Sequence, residues 1–390
     1  MQRQFPIRRT RAEVDLDALA WNLSILRKRA GGVGIVLPVK ADGYGHGQVA
    51  VARRAVDEGV ELLAVANAQE LLVLRAAGIS HPTLLLEDLF EEELSFVLAD
   101  QAARLNVSSY EYAQKISSIV TESTREGAAA SAKLHVNVDT GMGRMGLLSD
   151  DPAETIGRVA SLPGIEVEGV YSHFPAADEE DLSFAGAQLD AFRRILHELE
   201  RRGIRPRYRH IANSAGILAF EHEGAFDLVR PGVSAYGMYP SEPLRRGIGR
   251  GLSLRPCMRL VSALIKVTEY DREWSIGYGR SYQVGPGSRI GVVPIGYGDG
   301  YRRAHSNNGF ALVHGLRVPV VGRVSMDMIT VDLTNLPEKA DLGDEVILLG
   351  EQDWRERREQ ISAEEMAEQV GTISYEITCA FTPRVPRVYP

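Results

Sequence analysis

Lys40 stands where an apolar run, Val36-Leu37-Pro38-Val39, breaks into Ala41-Asp42-Gly43-Tyr44-Gly45-His46-Gly47. Strand-forming residues followed by glycines aim one amine out of a strand end at a flexible, polar mouth. An amine so placed can form a Schiff base, provided its surroundings suppress its charge. A solvated lysine capping a strand has the same local sequence, so the reading rests on what collects near it. The fifth predicted strand runs into Asp139 through Arg144, and the sixth ends in His173. The seventh ends in Asn213-Ser214 and the eighth in Arg230, followed by Pro231-Gly232-Val233. Each alone is readable as a solvated strand end, His173 as a structural histidine and Arg230 as a partner for some carboxylate. Together they place a lysine, an arginine, a histidine and a Ser/Gly pair on one rim. The Ser214 hydroxyl and the backbone N–H groups near Gly216, Gly232 and Val233 suit a phosphate. A phosphate cradle opposite a Schiff-base lysine suggests pyridoxal 5′-phosphate.

These residues share a rim only if particular elements carry them. Short apolar strands alternate with amphipathic helical stretches from about residue 30 to 240. The predicted strands are Gly34–Lys40, Leu62–Ala66, Thr83–Leu86, Arg104–Val107, Lys133–Asp139, Val167–Ser172, Tyr208–Ala212 and Phe226–Arg230. Several intervening stretches end in glycine, a helix C-terminal signal, and AGILAF after Asn213 is the weakest of them. The pattern predicts a (β/α)8 TIM-type barrel with its final helix unassigned; a doubly wound open sheet is the runner-up. The first βα turn lacks G-x-G-x-x-G and carries Lys40 instead, which disfavours that runner-up.

Beyond roughly residue 245 the texture becomes β-branched short strands punctuated by Gly, Pro and Asp, as in SRIGVVPI and MITVDL. One helix is predicted there, Ala363–Val370, with Ser362 and Glu365 as a capping box and Ile361 and Met366 as a hydrophobic staple. The expected division is a barrel over 11–244 and a mostly β domain over 245–390, with residues 1–10 able to join either.

The formal charge of −8 and the absence of a dense basic patch argue against nucleic-acid or membrane-surface binding. No stretch reads as a signal-peptide core or a transmembrane segment. Cys257 and Cys379 are too few for a disulfide framework and lack zinc-ligand spacing, so a cytoplasmic protein without a metal site is expected.

The blocks VKADGYGHG, DTGMGRMG, YSHF, HIANSAG, VRPGVSAYG, GYGRSY, GYGDGY, GRVSMDM, ISYEITC and RVPRVY resemble alanine racemase motifs, in that family's order. They run from before Lys40 to Tyr389 and so cover nearly the whole chain. The resemblance implies a barrel joined to a β domain and a homodimer with shared active sites. It implies that Lys40 holds pyridoxal 5′-phosphate covalently. Tyr44, Asn213, Ser214, Gly232, Val233 and Tyr375 match positions around the cofactor phosphate, and Arg230 matches the arginine facing the ring nitrogen. Lys40 and Tyr278 match the two opposed bases, Tyr278 reaching in from the partner and supported by His173 and Arg230. Arg144 and the Met326 N–H match the groups that hold the substrate carboxylate, and Tyr297 and Tyr375 match aromatics that narrow the entrance towards alanine. The expected activity is L-alanine/D-alanine interconversion supplying peptidoglycan.

Two positions depart from the pattern. Many members carry a carbamylated lysine seven residues before the arginine, where this chain has Asn137, and Ser325 replaces a common cysteine. Without the carbamate charge, Asn137 and Arg144 are expected to hold a small anion instead. Asparagine there also occurs in broad-specificity amino-acid racemases, so serine, lysine and other substrates stand as the alternative. A barrel decarboxylase is disfavoured by Arg230, where a carboxylate is usual. A non-catalytic cofactor-binding barrel, the alternative of another class, lacks the β domain that brings Tyr278 and Met326.

Overall fold

The computed structural model describes residues 8–125, 131–247 and 252–390; residues 1–7, most of the segment left open between the two domains, lie outside it. The chain forms two compact units, one of residues 19–43 and 48–255, the other of residues 8–18, 44–47 and 256–390.

The first unit is the expected barrel. Its eight parallel strands are Gly34–Pro38, Leu62–Val65, Thr83–Leu85, Ala103–Val107, Ala132–Asn137, Ile165–Tyr171, Tyr208–His210 and Leu228–Val229. The first pairs with both the second and the eighth. The ring closes between the seventh and eighth, where Asp227 N–H donates to Arg209 C=O (3.1 Å) and Arg230 N–H to Ala212 C=O (2.8 Å). Ile35, Val36, Leu37, Leu63, Ala64 and Leu84 are all fully buried, so the strands read as continuous apolar runs, as parallel sheets covered on both faces require.

Seven of the eight strands end one or two positions before the expected residue, whereas Ala103–Val107 ends where expected, and both it and Ile165–Tyr171 are one residue longer than expected. Lys40 is therefore not in a strand: the first strand stops at Pro38 and Lys40 opens a turn. AGILAF does form a helix, Ser214–Phe220, and Asn213 caps it by accepting from Gly216 N–H (2.9 Å). The unassigned final helix is explained by chain order. Among the described residues, the eighth strand is followed within the barrel unit by a 3-10 turn, Val233–Tyr236, and a short helix, Glu242–Gly247. Its place is taken by the helix Leu16–Arg29, whose Asn22 amide donates to Ala235 C=O (3.0 Å) and Arg255 C=O (2.8 Å). Arg27 of the same helix donates to Gly59 C=O (2.8 Å), at the end of the helix after the first strand.

The second unit is mostly β, as expected. A large sheet runs in the order Lys266–Glu269, Arg289–Val293, Ile329–Asp332, Leu316–Val321, Phe310–Val313, Glu345–Trp354, Met258–Ala263, Arg11–Val14 and Arg387–Val388. Arg11–Val14 thus differs from its expected place in the barrel: it pairs antiparallel with Met258–Ala263 and parallel with Arg387–Val388. Its alternating burial leaves Ala12 and Val14 inside this sheet, which is why it joins here. Conversely, residues 252–255 group with the barrel, so the units change at 255/256 rather than at 245. The helix Ala363–Val370 forms as predicted, with Ser362 Oγ accepting from Glu365 N–H (3.1 Å) and Ile361 and Met366 both buried. The Glu365 carboxylate pairs with Arg317.

Glycines decide one contact of this unit. Gly45 has φ +82°, and a Cβ there would lie 2.0 Å from Thr378 C=O oxygen; one on Gly47 would lie 1.9 Å from the Tyr389 hydroxyl. The backbone is drawn close because Arg387 Nε donates to Gly45 C=O (2.9 Å). Gly45→Ala should therefore destabilise the protein by about 2–4 kcal/mol, from a strained left-handed residue plus a backbone overlap. A urea midpoint unchanged from wild type would show that this packing is not as described.

Candidate active site

Lys40 is half-buried and begins a turn in which Ala41, Asp42, Gly43 and Tyr44 all have positive φ, between 50° and 61°. A left-handed non-glycine residue costs roughly 1–2 kcal/mol, so such a run persists only where its surroundings enforce it. Glu70 enforces it. Its carboxylate accepts from Ala41 N–H (2.8 Å) at one oxygen and from Ala66 N–H (2.7 Å) at the other. Asp42 accepts from Gln48 N–H (2.9 Å), tying the far side of the turn to the next helix. Val39 N–H, just before the lysine, donates to Ala64 C=O (2.8 Å).

Arg230 lies across the rim and is buried. Its NH1 donates to His210 Nδ1 (2.5 Å), and its NH2 to Ser172 C=O (2.6 Å) and His173 Nδ1 (3.1 Å). Burial lowers its pKa to about 10, which still leaves it cationic at neutral pH. His173 Nδ1 faces the Arg230 donor at 3.1 Å and Nε2 faces the Asn213 amide at 3.4 Å; the shorter, charged donor takes the Nδ1 lone pair, which puts the proton on Nε2. Burial, then the charges of Arg230, Arg144 and Lys40, push the His173 pKa down to about 3. Those charges place lysine, histidine and arginine in one electrostatic neighbourhood.

Beside them, Ser214 Oγ accepts from Gly232 N–H (2.9 Å) and Ser234 N–H (3.1 Å), drawing the loop after the eighth strand over the start of the helix after the seventh. The first N–H groups of that helix have no intrahelical acceptor. The Ser234 hydroxyl is buried without a partner among the described residues, and Val233 is fully buried. Surplus donors around Ser214 fit a phosphate, and with the Lys40 amine and the Arg230 guanidinium the donor set fits pyridoxal 5′-phosphate.

Asn137 ends the fifth strand, half-buried, with its side chain towards the Tyr171 hydroxyl. Arg144 is exposed in the following loop, where Asp139 closes a turn by accepting from Gly141 N–H (2.7 Å) and Gly143 N–H (2.8 Å). Among the described residues Arg144 makes no ion pair.

The remaining predicted residues lie in the β unit. The Tyr44 and Tyr375 rings are 6.2 Å apart and tilted by 45°. Tyr297 N–H donates to Ser325 C=O (3.0 Å) and Gly298 N–H to Met326 C=O (2.9 Å), so the Tyr297 and Met326 loops form one ledge. A Cβ on Gly296 would lie 2.2 Å from Ser325 C=O oxygen, so this approach requires glycine. Tyr278 projects from a tight turn after Gly277 (φ +71°) and is 71% exposed; Met326 is 52% exposed. Ser325 Oγ donates to Met328 C=O (2.7 Å), a local bond that a cysteine would make only weakly.

Sequence reasoning missed Glu70, whose two acceptor oxygens hold the Lys40 turn. It also missed Glu168, His135 and His210, which are buried inside the barrel. The available signal was a histidine or glutamate among apolar residues in the strand segments KLHVN, EVEGVY and YRHI, though each also has a second ionisable residue, Lys133, Glu166 or Arg209, so sequence alone does not single out the buried one.

Residues 14–240 match the family described as alanine racemase, N-terminal domain, and residues 257–389 the alanine racemase C-terminal domain. The chain is 38% identical to alanine racemase 2 of Caldanaerobacter subterraneus subsp. tengcongensis, over 98% of this chain and 95% of the relative. It is 41% identical to the alanine racemase of Syntrophobacter fumaroxidans over 94% of each. The solved alanine racemase of Clostridium difficile 630 is similar at TM-score 0.89 and 33% identity, covering 99% of this chain and 97% of that one. That of Bacillus anthracis, with bound L-Ala-P, gives TM-score 0.87 at 34% identity, covering 99% and 96%. A barrel carrying Lys40 and a buried Arg230 at its mouth, matched over nearly its full length by these proteins, belongs to the alanine racemase family.

Proposed function

We propose that this protein is a pyridoxal 5′-phosphate-dependent racemase that interconverts L- and D-alanine with Lys40 and Tyr278 as opposed bases. The observation that carries this reading is the barrel rim itself, where a half-buried lysine on an enforced turn shares a neighbourhood with a buried guanidinium and an undersupplied donor cradle. Lys40 would hold the cofactor; Ser214, Gly232 and Val233, with Asn213, Tyr44 and Tyr375, would surround its phosphate. Bound there, the cofactor supplies an electron sink that acidifies the α-C–H of an amino acid.

Arg230 remains a cationic donor at neutral pH, so it would face the ring nitrogen as a group that does not give up its proton. A weaker sink favours prompt return of a proton to the α-carbon over transamination. The Lys40 amine would take or give that proton on the face of the D-enantiomer. The Tyr278 phenol serves the face of the L-enantiomer. An ordinary phenol, with pKa near 10, is a poor base at neutral pH. Neutral His173, held by Arg230 through Nδ1, keeps Nε2–H available to support the phenolate.

Tyr278, Met326, Trp274 and Met328 are exposed large side chains of the β unit, which supports a homodimer in which Tyr278 and Met326 complete the partner's site. Arg144 with the Met326 N–H would hold the substrate carboxylate, and Tyr297 with Tyr375 would restrict the side chain to a methyl group. Asn137 brings no charge to Arg144, so a small anion such as chloride is proposed between them; racemase activity measured in halide-free buffer should then rise when halide is added. A role in peptidoglycan supply and a cytoplasmic location go with this reading. Initial rates with a panel of L-amino acids distinguish alanine from a broader substrate range.

Borohydride reduction followed by peptide mapping should leave the pyridoxyl label on Lys40; label on another residue, or none, counts against the assignment. Tyr278→Phe should slow deuterium washout from L-alanine far more than from D-alanine, whereas equal slowing would contradict two opposed bases. Mixing Lys40→Ala with Tyr278→Phe subunits should recover activity at about one site in four, because half the dimers are hybrid and each regains one complete site. Exchanged subunits that stay inactive would refute shared sites.

The depressed histidine makes a pH prediction. Unfolded histidine takes up a proton near 6.5, whereas folded His173 does so only near 3, so stability falls as pH drops below 6.5. His135 and His210, also lowered by burial, act in the same direction. Glu168 adds nothing until pH falls below its ordinary 4.5, since it is held to about 2. Thermal midpoints of the purified protein should therefore fall between about pH 6.5 and 4.5, each such histidine contributing at most about 1.4 kcal/mol per pH unit. A flat profile would mean that these imidazoles are solvated.

A further inference from the structure

Arg230 is the outer end of a buried chain that crosses the barrel interior. Its NH1 donates to His210 Nδ1 at 2.5 Å, and His210 Nε2 is 3.0 Å from His135 Nδ1. His135 Nε2 is 3.3 Å from Glu168 Oε2. Glu168 is gripped in turn by Arg104, whose Nε donates to Oε2 (2.9 Å) and NH2 to Oε1 (3.2 Å), with Lys133 Nζ 3.5 Å away. His135, Glu168, His210 and Arg230 are at most 4% exposed, so water offers no substitute partner.

The chemistry of the two ends leaves one direction for every bond between them. Arg230 has only donors, so His210 Nδ1 must accept and its proton must sit on Nε2. Glu168 is a carboxylate with only acceptors, so His135 must carry its proton on Nε2 and accept at Nδ1. The two assignments meet without conflict, since His210 Nε2–H then donates to His135 Nδ1. Either imidazole in the other tautomer would set two donors face to face inside the barrel, and an unsatisfied buried donor costs about 1–3 kcal/mol.

The backbone is arranged for this chain. Between the fifth and sixth strands Leu134 pairs with Val167 but His135 pairs with Gly169, so Glu168 is the extra residue of a β-bulge. Bulges re-aim a side chain, and this one turns the Glu168 carboxylate inward while Glu166 of the same strand stays exposed. A Cβ on Gly169 would lie 2.4 Å from His135 Nδ1, so that glycine makes room for the ring. His210 is stacked on Tyr171, with centroids 4.9 Å apart and planes within 3°, and the Tyr171 hydroxyl donates to Asn106 Oδ1 (2.7 Å). The stacking fixes the His210 ring and leaves its nitrogens for the chain, with the His135 ring tilted by 57° to it.

We propose that Glu168 and His135 are positioning residues for Arg230: the carboxylate, acting through two imidazoles, sets the direction of the hydrogen bonds and thereby fixes the guanidinium at the barrel mouth. The inference rests on Arg230 facing the cofactor ring, as proposed above. The chain also joins the Arg230 cation to an anion at the opposite end of the barrel interior, so polarisation along it strengthens each bond.

His135→Phe tests it, because phenylalanine preserves the ring and the Arg104–Glu168 pair but cannot link Glu168 to His210. The expected result is a kcat lower by about tenfold, equivalent to about 1.4 kcal/mol, with KM changed by less than about twofold. Glu168→Gln, which keeps an acceptor oxygen without the charge, should fall between wild type and His135→Phe. Nitrogen-15 spectra of histidine-labelled, full-length protein as purified should show His135 and His210 neutral with the proton on Nε2. In His135→Phe the His210 Nδ1 resonance should move by several ppm. An Nδ1–H tautomer or an imidazolium at either histidine in the wild type would overturn the proposal. So would a His135→Phe variant with unchanged kcat and an unmoved His210 resonance, which is what ring packing alone predicts. The spectra do not depend on turnover, so loss of the racemase reading and loss of the chain are separable results.

Discussion

A guanidinium taken out of water must find an acceptor for each of its N–H groups, or the barrel that buries it loses several kcal/mol. Arg230 is such a group, and much of the rim is arranged around satisfying it. Two backbone carbonyls at the ends of neighbouring strands and two imidazoles supply acceptors. Each imidazole must be neutral to accept, and the same burial that would cost the cation its charge keeps both neutral. The carbonyls just beyond the ends of the sixth and seventh strands, those of Ser172 and Ile211, are thus turned to this cation. A lysine in that position would offer three donors from one point in place of a planar fork and would meet few of these acceptors.

The rim divides its tasks between strained and relaxed backbone. Four successive residues after Lys40 are left-handed, and the strain is held by Glu70 and Asp42. The cradle opposite is built from ordinary elements: a capped helix start, a serine hydroxyl that collects two N–H groups, and a 3-10 turn. On the proposed reading this contrast has a functional sense: an amine that would exchange covalent partners needs a defined aim from its turn, whereas a phosphate would need only a concentration of donors.

Close backbone approach recurs wherever distant parts of one unit must meet. Gly45 against Thr378, Gly47 against Tyr389, Gly169 against His135 and Gly296 against Ser325 each leave no space for a methyl group. In the β unit these contacts bind residues Tyr44–Gly47 to Ser374–Cys379, a second short helix beyond the one expected there, and to the RVPRVY terminus, three segments far apart in sequence. Their glycines are explained by contact as much as by turn geometry.

The local texture of the chain was enough to determine the alternation of strand and helix, the change to β structure in the C-terminal third, and the rim positions of Lys40, His173, Asn213, Ser214 and Arg230. Those features depend on residue type and short-range spacing, which a linear sequence displays. Their chemical roles came from the resemblance to a family, since a lone lysine or arginine at a strand end has no single use. Tertiary structure alone decided that Arg11–Val14 joins the β sheet, because a short alternating strand takes whichever edge offers it hydrogen bonds. It alone decided that Leu16–Arg29 serves as the eighth outer helix, since helical period does not say where along the chain a barrel closes. It also decided that Glu168, His135, His210 and Arg230 form one chain: four ionisable residues on four different strands become neighbours only when the sheet curls shut and a bulge turns Glu168 inward.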